Sequence, residues 1–134
     1  MPFIQWTDAL SVQIDSVDRQ HKKLVSIIND LYDSMQVGKA HEVMRKILAD
    51  LAAYTVEHFS YEECLFRQHA YLGAASHQNS HGLLVGQLKE LQNKVERGSP
   101  VSITTFSFLK RWLTEHIMKE DRQYSEFLRA KGVK

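Results

Sequence analysis

Histidine and carboxylate side chains recur at helical spacing along this chain, and both are ligands of metal ions such as iron and zinc. His58 and Glu62 lie four residues apart, as do His77 and His81. In a helix, residues at that spacing project from one face, about 40° apart. Each pair alone is a weak signal, because such spacing also arises by chance in a histidine-rich helical chain.

The positions of these residues relative to the predicted turns indicate that they meet in one layer. In antiparallel helices, residues equidistant from a connecting turn lie level with each other. His21 and His58 are equidistant from a break at 38–39, and His116 lies opposite the second histidine pair across a break at 98–100. The middle break relates the two pairs to each other in the same way. Each of these side chains also falls on the apolar stripe that faces the core.

A bound metal is the best explanation for so many polar groups aimed at one buried point. Burying each group unpaired costs about 2 kcal/mol or more, and metal ligation removes that cost while linking metal binding to folding. The alternative, histidines satisfied by core hydrogen bonds, does not account for their joint placement on four helices. Asp121 follows His116 by five residues, about 140° around an ideal helix, so it needs a kink or a wide turn to join the layer.

Four long amphipathic segments position these side chains. Their apolar residues recur three or four apart, which predicts helices, and the short breaks between them favour antiparallel neighbours. We therefore expect a single all-α domain over residues 1–134, an up-down-up-down antiparallel four-helix bundle with an N-terminal arm. The predicted elements are an arm at 1–16 and helices at about 17–37, 42–68, 74–96 and 101–119, with a C-terminal extension to about 130.

Composition excludes several classes of partner. Seventeen basic and 16 acidic side chains give a formal net charge of +1, without the basic footprint of a nucleic-acid-binding protein. No apolar run approaches the length of a membrane span, and the first ten residues lack the pattern of a signal peptide. Cys64 is the single cysteine and cannot form an internal disulfide, which favours a reducing compartment. These features predict a cytoplasmic protein.

Other candidate residues have less distinctive positions. His41 and His69 lie near predicted turns, away from the histidine layer, and we expect both to be exposed to solvent. Cys64 is six residues from His58, off the face of that ligand, and is predicted to be a packed thiol. Tyr54 and Tyr61 neighbour the site in sequence, where packing is the simplest interpretation and a hydrogen bond to a ligand is the alternative.

At these residues the sequence resembles the hemerythrin family, in particular its single-domain bacterial members, from Trp6 to about Leu128. The matching segments are Trp6 in the arm, Asp18-Arg19-Gln20-His21, His58-Phe59-Ser60-Tyr61-Glu62, His77-Gln78-Asn79-Ser80-His81, Trp112-Leu113-Thr114-Glu115-His116-Ile117, and Asp121. The five-residue step from His116 to Asp121 is also the spacing of that family.

The resemblance implies a four-helix bundle that holds two non-haem iron ions. One iron would be bound by His77, His81 and His116, and the other by His21 and His58. Glu62 and Asp121 would bridge the two ions, together with an oxygen derived from solvent. This ligand set leaves one coordination position open, on the iron with two histidines, where dioxygen enters. Trp112, Leu113 and Ile117 match family positions that line the oxygen pocket, although simple core packing also explains them.

The function expected from this resemblance is reversible dioxygen binding for transport, storage or delivery, and not catalysis. A di-iron oxidase or peroxidase is the first alternative, but the chain contains no Glu-x-x-His pair of the kind that ferritin-like enzymes use. An oxygen or redox sensor is the second, and it would need a separate output partner. A structural zinc pair is remote, because zinc prefers four ligands. A protein acceptor of oxygen is left open.

Overall fold

The computed structural model describes residues 2–134, most of which are helical. Asp8–Leu10 forms a short 3-10 turn, and a wide π-helical turn at Ile117–Asp121 joins the last two helices. The helices are α1 (Asp15–Gln36), α2 (His41–His69), α3 (Ala74–Glu96), α4 (Ile103–His116) and α5 (Arg122–Ala130).

The helices α1 to α4 form an antiparallel four-helix bundle, which confirms the predicted fold class. The helix α1 packs against α2 and α4, and α3 packs against α2. Ile28, Leu51, Leu88 and Leu109, one from each helix, are among the fully buried side chains of the core. Burial of a side chain of this size contributes roughly 1.5–3 kcal/mol. Among the described helices, none combines the length and hydrophobicity needed to cross a membrane.

Residues in the left-handed region of backbone space mark the three connections between bundle helices. Gly38 has a φ of 69°, Ala70 of 52° and Gly98 of 97°. A left-handed residue after a helix allows the chain to turn sharply and satisfies the last carbonyl groups. The N–H of Tyr71 makes such a bond, to the carbonyl of Phe66. These tight turns bring the ligand-bearing segments of neighbouring helices to the same level.

The helices α1 and α4 each begin two residues away from the predicted position. The helix α1 begins at Asp15 and not at 17, with Asp15 and Asp18 in its first turn, where acidic side chains interact favourably with the helix dipole. The helix α4 begins at Ile103 and not at 101. The residue before it, Ser102, is extended and donates its N–H to Oγ1 of Thr105 at 3.2 Å, which caps the helix.

The arm, residues 2–14, lies against the bundle. Its side chains Ile4, Leu10, Val12 and Ile14 are buried. Near its start, the N–H of Ile4 donates to Oδ1 of Asn29 at 2.8 Å, and Nδ2 of Asn29 donates to the carbonyl of Ile4 at 2.9 Å. These paired bonds fix the arm along α1. The first residue of the predicted arm lies outside the described residues.

Candidate metal centre

The structure brings all seven predicted ligands into two groups that share Glu62 and Asp121. Within each group, one ligand atom from every residue lies within 4.8 Å of the others. The first group is Glu62, His77, His81, His116 and Asp121, and the second is His21, His58, Glu62 and Asp121. All seven are buried, so two adjacent metal ions would be enclosed by protein on all sides.

The carboxylate of Asp121 faces both groups. Its Oδ1 lies 2.9 Å from Nε2 of His77 and 3.0 Å from Nε2 of His116. Its Oδ2 lies 3.0 Å from Nε2 of His21. One oxygen is therefore directed towards the three-histidine group and the other towards the two-histidine group, which is the arrangement of a bridging carboxylate.

The carboxylate of Glu62 is shared in a different way. Its Oε1 lies 3.1 Å from Nε2 of His81 and 3.4 Å from Nε2 of His58, so this one oxygen reaches both groups. Its Oε2 accepts a hydrogen bond from the buried hydroxyl of Tyr124. Burial and the neighbouring carboxylate of Glu62 raise the pKa of Tyr124 well above its ordinary value, so the phenol remains a donor.

The wide turn that Asp121 requires is the π-helical turn after His116. The N–H of Arg122 donates to the carbonyl of Ile117, five residues earlier, where an α-helix would use a carbonyl four residues earlier. This wider winding brings Asp121 onto the face of His116, and the two side chains meet at 3.0 Å. Single π-helical turns of this kind occur frequently at functional sites.

Unpaired buried atoms indicate that the site is built for metal. Six buried atoms that face the two groups have no hydrogen-bond partner within residues 2–134. They are Nε2 of His21, His58, His81 and His116, Oε1 of Glu62 and Oδ2 of Asp121. Natural proteins leave few such groups, and metal ligation would satisfy all of them. Imidazole and carboxylate donors without thiolate suit non-haem iron, so the residues present fit an iron pair.

In the metal-free site, burial and neighbouring charges shift the pKa values of the ligand side chains in different directions. Burial is the dominant effect on His58 and lowers its pKa to about 4, so this imidazole is neutral and able to ligate at neutral pH. Burial would also lower the pKa of His116, but the carboxylates of Asp121, Glu62 and Glu120 outweigh it and raise the pKa to about 9. Burial opposes ionisation of Asp121 as well, yet His116 and the other imidazoles hold its pKa well below the ordinary value.

Comparison with known proteins identifies the family that uses this geometry. Residues 12–128 match the model of the hemerythrin HHE cation binding domain. The chain belongs to the hemerythrin family. The bacteriohemerythrin of Methylococcus capsulatus (strain Bath) is 33% identical over 97% of this chain and 100% of that protein. The bacteriohemerythrin of Pseudomonas aeruginosa (strain PAO1) is 33% identical over 96% of this chain and 84% of that protein.

Similarity extends to an animal protein and to a solved structure. The myohemerythrin of Riftia pachyptila is 29% identical over 92% of this chain and 91% of that protein. The crystal structure of a wild-type hemerythrin superposes with a TM-score of 0.87 at 33% identity, covering 94% of this chain and 98% of that one. These matches support a single-domain bacteriohemerythrin, as the sequence motifs predicted.

Two of the histidines are oriented by hydrogen bonds, and a third by an ion pair, on the ring nitrogen that faces away from the metal groups. Nδ1 of His58 lies 2.6 Å from Oε1 of Gln20, and Nδ1 of His81 lies 2.8 Å from Oε2 of Glu63. Nδ1 of His116 lies 2.7 Å from Oε2 of Glu120. An N–H donated from Nδ1 leaves Nε2 free to ligate, and such partners fix the ring orientation in metalloproteins.

Sequence reasoning did not identify these ring partners or Tyr124. Glu120 had a local signal, since it lies four residues after His116 on the same helical face. Gln20 and Glu63 each neighbour a ligand in sequence but serve a histidine on another helix, so the pairing depends on the packing of helices. The only local signal for Tyr124 was its position three residues after Asp121, on the same helical face.

A small cavity adjoins the two-histidine group. It measures about 10 Å³, room for the centre of roughly one water-sized molecule. Its lining is mostly apolar and contains Leu24, Phe59, Leu84, Trp112 and Leu113, with His21, His58, His116 and Asp121 at the polar side. Of the predicted pocket residues, Trp112 and Leu113 line this cavity. Ile117 is fully buried but lies outside the lining.

The remaining candidates lie outside the site, and two differ from expectation. The prediction that His41 and His69 are exposed is wrong, because both are half-buried. His41 lies at the first residue of α2, and its Nε2 lies 2.9 Å from the carbonyl of Val95, which partly covers the ring. Cys64 is a half-buried free thiol. Tyr54 and Tyr61 are half-buried against the core, in keeping with packing.

Proposed function

We propose that this protein binds dioxygen reversibly at a pair of non-haem iron ions. The observation that carries the proposal is the pair of buried ligand groups joined by two carboxylates, with a small apolar cavity beside the two-histidine group. His77, His81 and His116 would hold one iron, and His21 and His58 the other. Glu62 and Asp121 would contact both. Ferrous ions held there would supply the electrons that reversible dioxygen binding requires.

The side chains around the cavity favour a small neutral ligand. Leu24, Phe59, Leu84 and Leu113 present hydrocarbon surface, which has no hydrogen bonds to offer a water molecule. The cavity is too small for an organic substrate, since sites for drug-sized molecules are roughly 300 Å³ or larger. Trp112 donates its indole N–H to the carbonyl of Leu84 at 3.2 Å, which holds the indole between α3 and α4.

The same features favour a carrier over an enzyme. A buried, mostly apolar cavity excludes water and limits the loss of charged oxygen species. The polar groups near the metal ligands are already engaged: Gln20, Glu63 and Glu120 with histidines, and Tyr124 with Glu62. None of these contacts leaves an acid–base pair beside the cavity for substrate chemistry. We propose transport, storage or delivery of dioxygen in the cytoplasm as the role.

Metal titration with dioxygen uptake tests the proposal. Anaerobic addition of ferrous iron should saturate at two ions per chain, and an oxygen electrode should then record one dioxygen taken up per iron pair. Removal of free dioxygen from the solution should release the bound dioxygen. Continuous consumption of dioxygen in the presence of a reductant, with hydrogen peroxide or water as product, would instead establish an oxidase. Saturation with no uptake of dioxygen would contradict the proposal.

A further inference from the structure

The arm is attached to the helix that carries His21. Ser11 Oγ donates to Oδ2 of Asp18 at 2.6 Å, and the N–H of Val12 donates to Oδ1 of the same carboxylate at 2.9 Å. Asp18 precedes His21 by three residues on α1. The two bonds therefore fix the arm to the turn of helix from which His21 projects.

The same arm segment is attached to the residues that follow Asp121. Nη2 of Arg122, the next residue along the chain, donates to the carbonyl of Ala9 at 2.5 Å. Oγ of Ser125, one turn later on α5, donates to the carbonyl of Val12 at 2.5 Å. The 3-10 turn at Asp8–Leu10 also packs against the π-helical turn. Arg122 has a double role, because its own N–H closes that turn.

Backbone strain shows that the arm is held firmly at this point. Gln13 has a φ of 61°, in the left-handed region that non-glycine residues rarely adopt. Its N–H donates to Ser11 Oγ at 3.0 Å. Such a conformation is unfavourable and persists only where surrounding contacts determine it. Here those contacts are the bonds of the two preceding residues to Asp18 and to Ser125.

We propose that residues 9–12, the clasp, position the ligands of the two-histidine iron. The clasp joins the helical turn of His21 to the turn of Asp121, and these two ligands meet at 3.0 Å, from Nε2 to Oδ2. His21 depends on this support because its Nδ1 has no hydrogen-bond partner within residues 2–134. His58, the other histidine of that iron, is held by Gln20, which lies on the same turn of α1 as Asp18 and His21.

The clasp acts asymmetrically on the two ions. The three-histidine iron takes His77 and His81 from α3 and His116 from α4, of which His81 and His116 have ring partners of their own. It shares only Asp121 with the clasped segment. A loosened clasp would displace Oδ2 of Asp121 and the ring of His21 together, and both belong to the two-histidine group. This inference rests on the proposed function, since it concerns the iron at which dioxygen would bind.

Iron retention in point variants tests the clasp. Arg122→Met removes the bond to Ala9 while keeping much of the side-chain length, and Ser125→Ala removes the bond to Val12. Arg129→Met is the matched control, because Arg129 borders the same cleft between the arm and α5 but makes none of the clasp bonds. Each protein, loaded with ferrous iron under argon, is challenged with a chelator, and iron per chain is followed by elemental analysis.

We expect both clasp variants to lose one of their two ions about 10-fold faster than the unaltered protein, since changes to groups that orient metal ligands weaken metal binding about 10–100-fold. The second ion should leave at the unaltered rate, and the control should retain both. Loss of both ions together, or retention as in the control, would overturn the proposal. If the unaltered chain bound no iron, the proposed function would fail. The clasp is then tested in the metal-free protein by hydrogen exchange of the backbone amides at 117–122. Exchange there should be faster in Arg122→Met than in Arg129→Met, and equal rates would overturn the clasp.

Discussion

Removal of iron should destabilise this fold by more than loss of an ordinary ligand does. The reason is the set of six unpaired buried atoms at the site. A buried donor or acceptor without a partner costs about 1–3 kcal/mol. At the lower end of that range, the six atoms together cost about 6 kcal/mol. This is a large part of the roughly 5–15 kcal/mol by which native proteins are stable.

This free-energy cost corresponds to a measurable shift of the melting temperature. Unfolding entropy near 60 °C is about 2.1 cal/mol/K per residue, so for a chain of this length 1 kcal/mol corresponds to about 4 °C. Iron binding should therefore raise Tm by about 20 °C. The lower end of the range is appropriate because some of the six atoms lie close to each other without forming a hydrogen bond, such as Nε2 of His21 and Oδ2 of Asp121 at 3.0 Å.

The assay is thermal unfolding followed by circular dichroism, in anaerobic samples with and without a twofold excess of ferrous iron. Calcium serves as the control cation, because it prefers an all-oxygen site and a larger number of ligands. Iron should produce the large shift, and calcium should produce almost none. If Tm moved by less than about 5 °C on addition of iron, the unpaired atoms would not be the metal ligands, and the reasoning would be refuted.

Three further predictions follow from individual side chains. His58→Ala should lower the iron content below that of the unaltered protein on elemental analysis, whereas His41→Ala should leave it unchanged, since His41 contacts the carbonyl of Val95 away from the site. In the metal-free protein, the pKa of His116 is raised from 6.5 to about 9, so its contribution of about 3 kcal/mol should be complete below pH 6.5 and lost as the pH rises through 9, measured by urea unfolding. Trp112→Phe removes the indole bond to the Leu84 carbonyl and should raise the dioxygen dissociation rate several-fold in stopped-flow experiments; an unchanged rate would show that the indole does not restrict the cavity.

The histidine layer was predictable because it follows from chain geometry alone. Helical spacing fixes which residues share a face, and equal distance from a turn fixes which residues are level. His21, His58 and His116 required only the positions of the turns, which glycine residues such as Gly38 and Gly98 mark. Packing then brought these side chains within reach of shared carboxylates, as the arithmetic on sequence positions predicted.

The position of Asp121 in the site could not be predicted from residue spacing alone. An ideal helix places it about 140° from His116, and nothing in the spacing of apolar residues specifies a wider turn. The family pattern supplied the position, and the π-helical turn at Ile117–Asp121 supplies the physical means. The arm contacts to Arg122 and Ser125 join segments more than a hundred residues apart, which no local pattern reveals.

The partners of the ligands were not predictable for a related reason. Whether Gln20 or Glu63 reaches a histidine depends on the rotation and rotamers of two different helices. His41 was predicted to be exposed because it lies beside a turn, yet the same turn geometry brings it to the end of α3, where Val95 covers it. Exposure next to a turn therefore depends on the neighbouring helix end as well as on the residue itself.

Reversible oxygenation is the most direct test of the central proposal. The purified protein is loaded with ferrous iron under argon, exposed to dioxygen and returned to argon through several cycles, while the visible spectrum is recorded. We expect a visible absorption band that appears with dioxygen and disappears without it, at the same amplitude in each cycle and with two irons per chain. A band that decays irreversibly to a ferric spectrum within the first cycle, or no band at all, would contradict it.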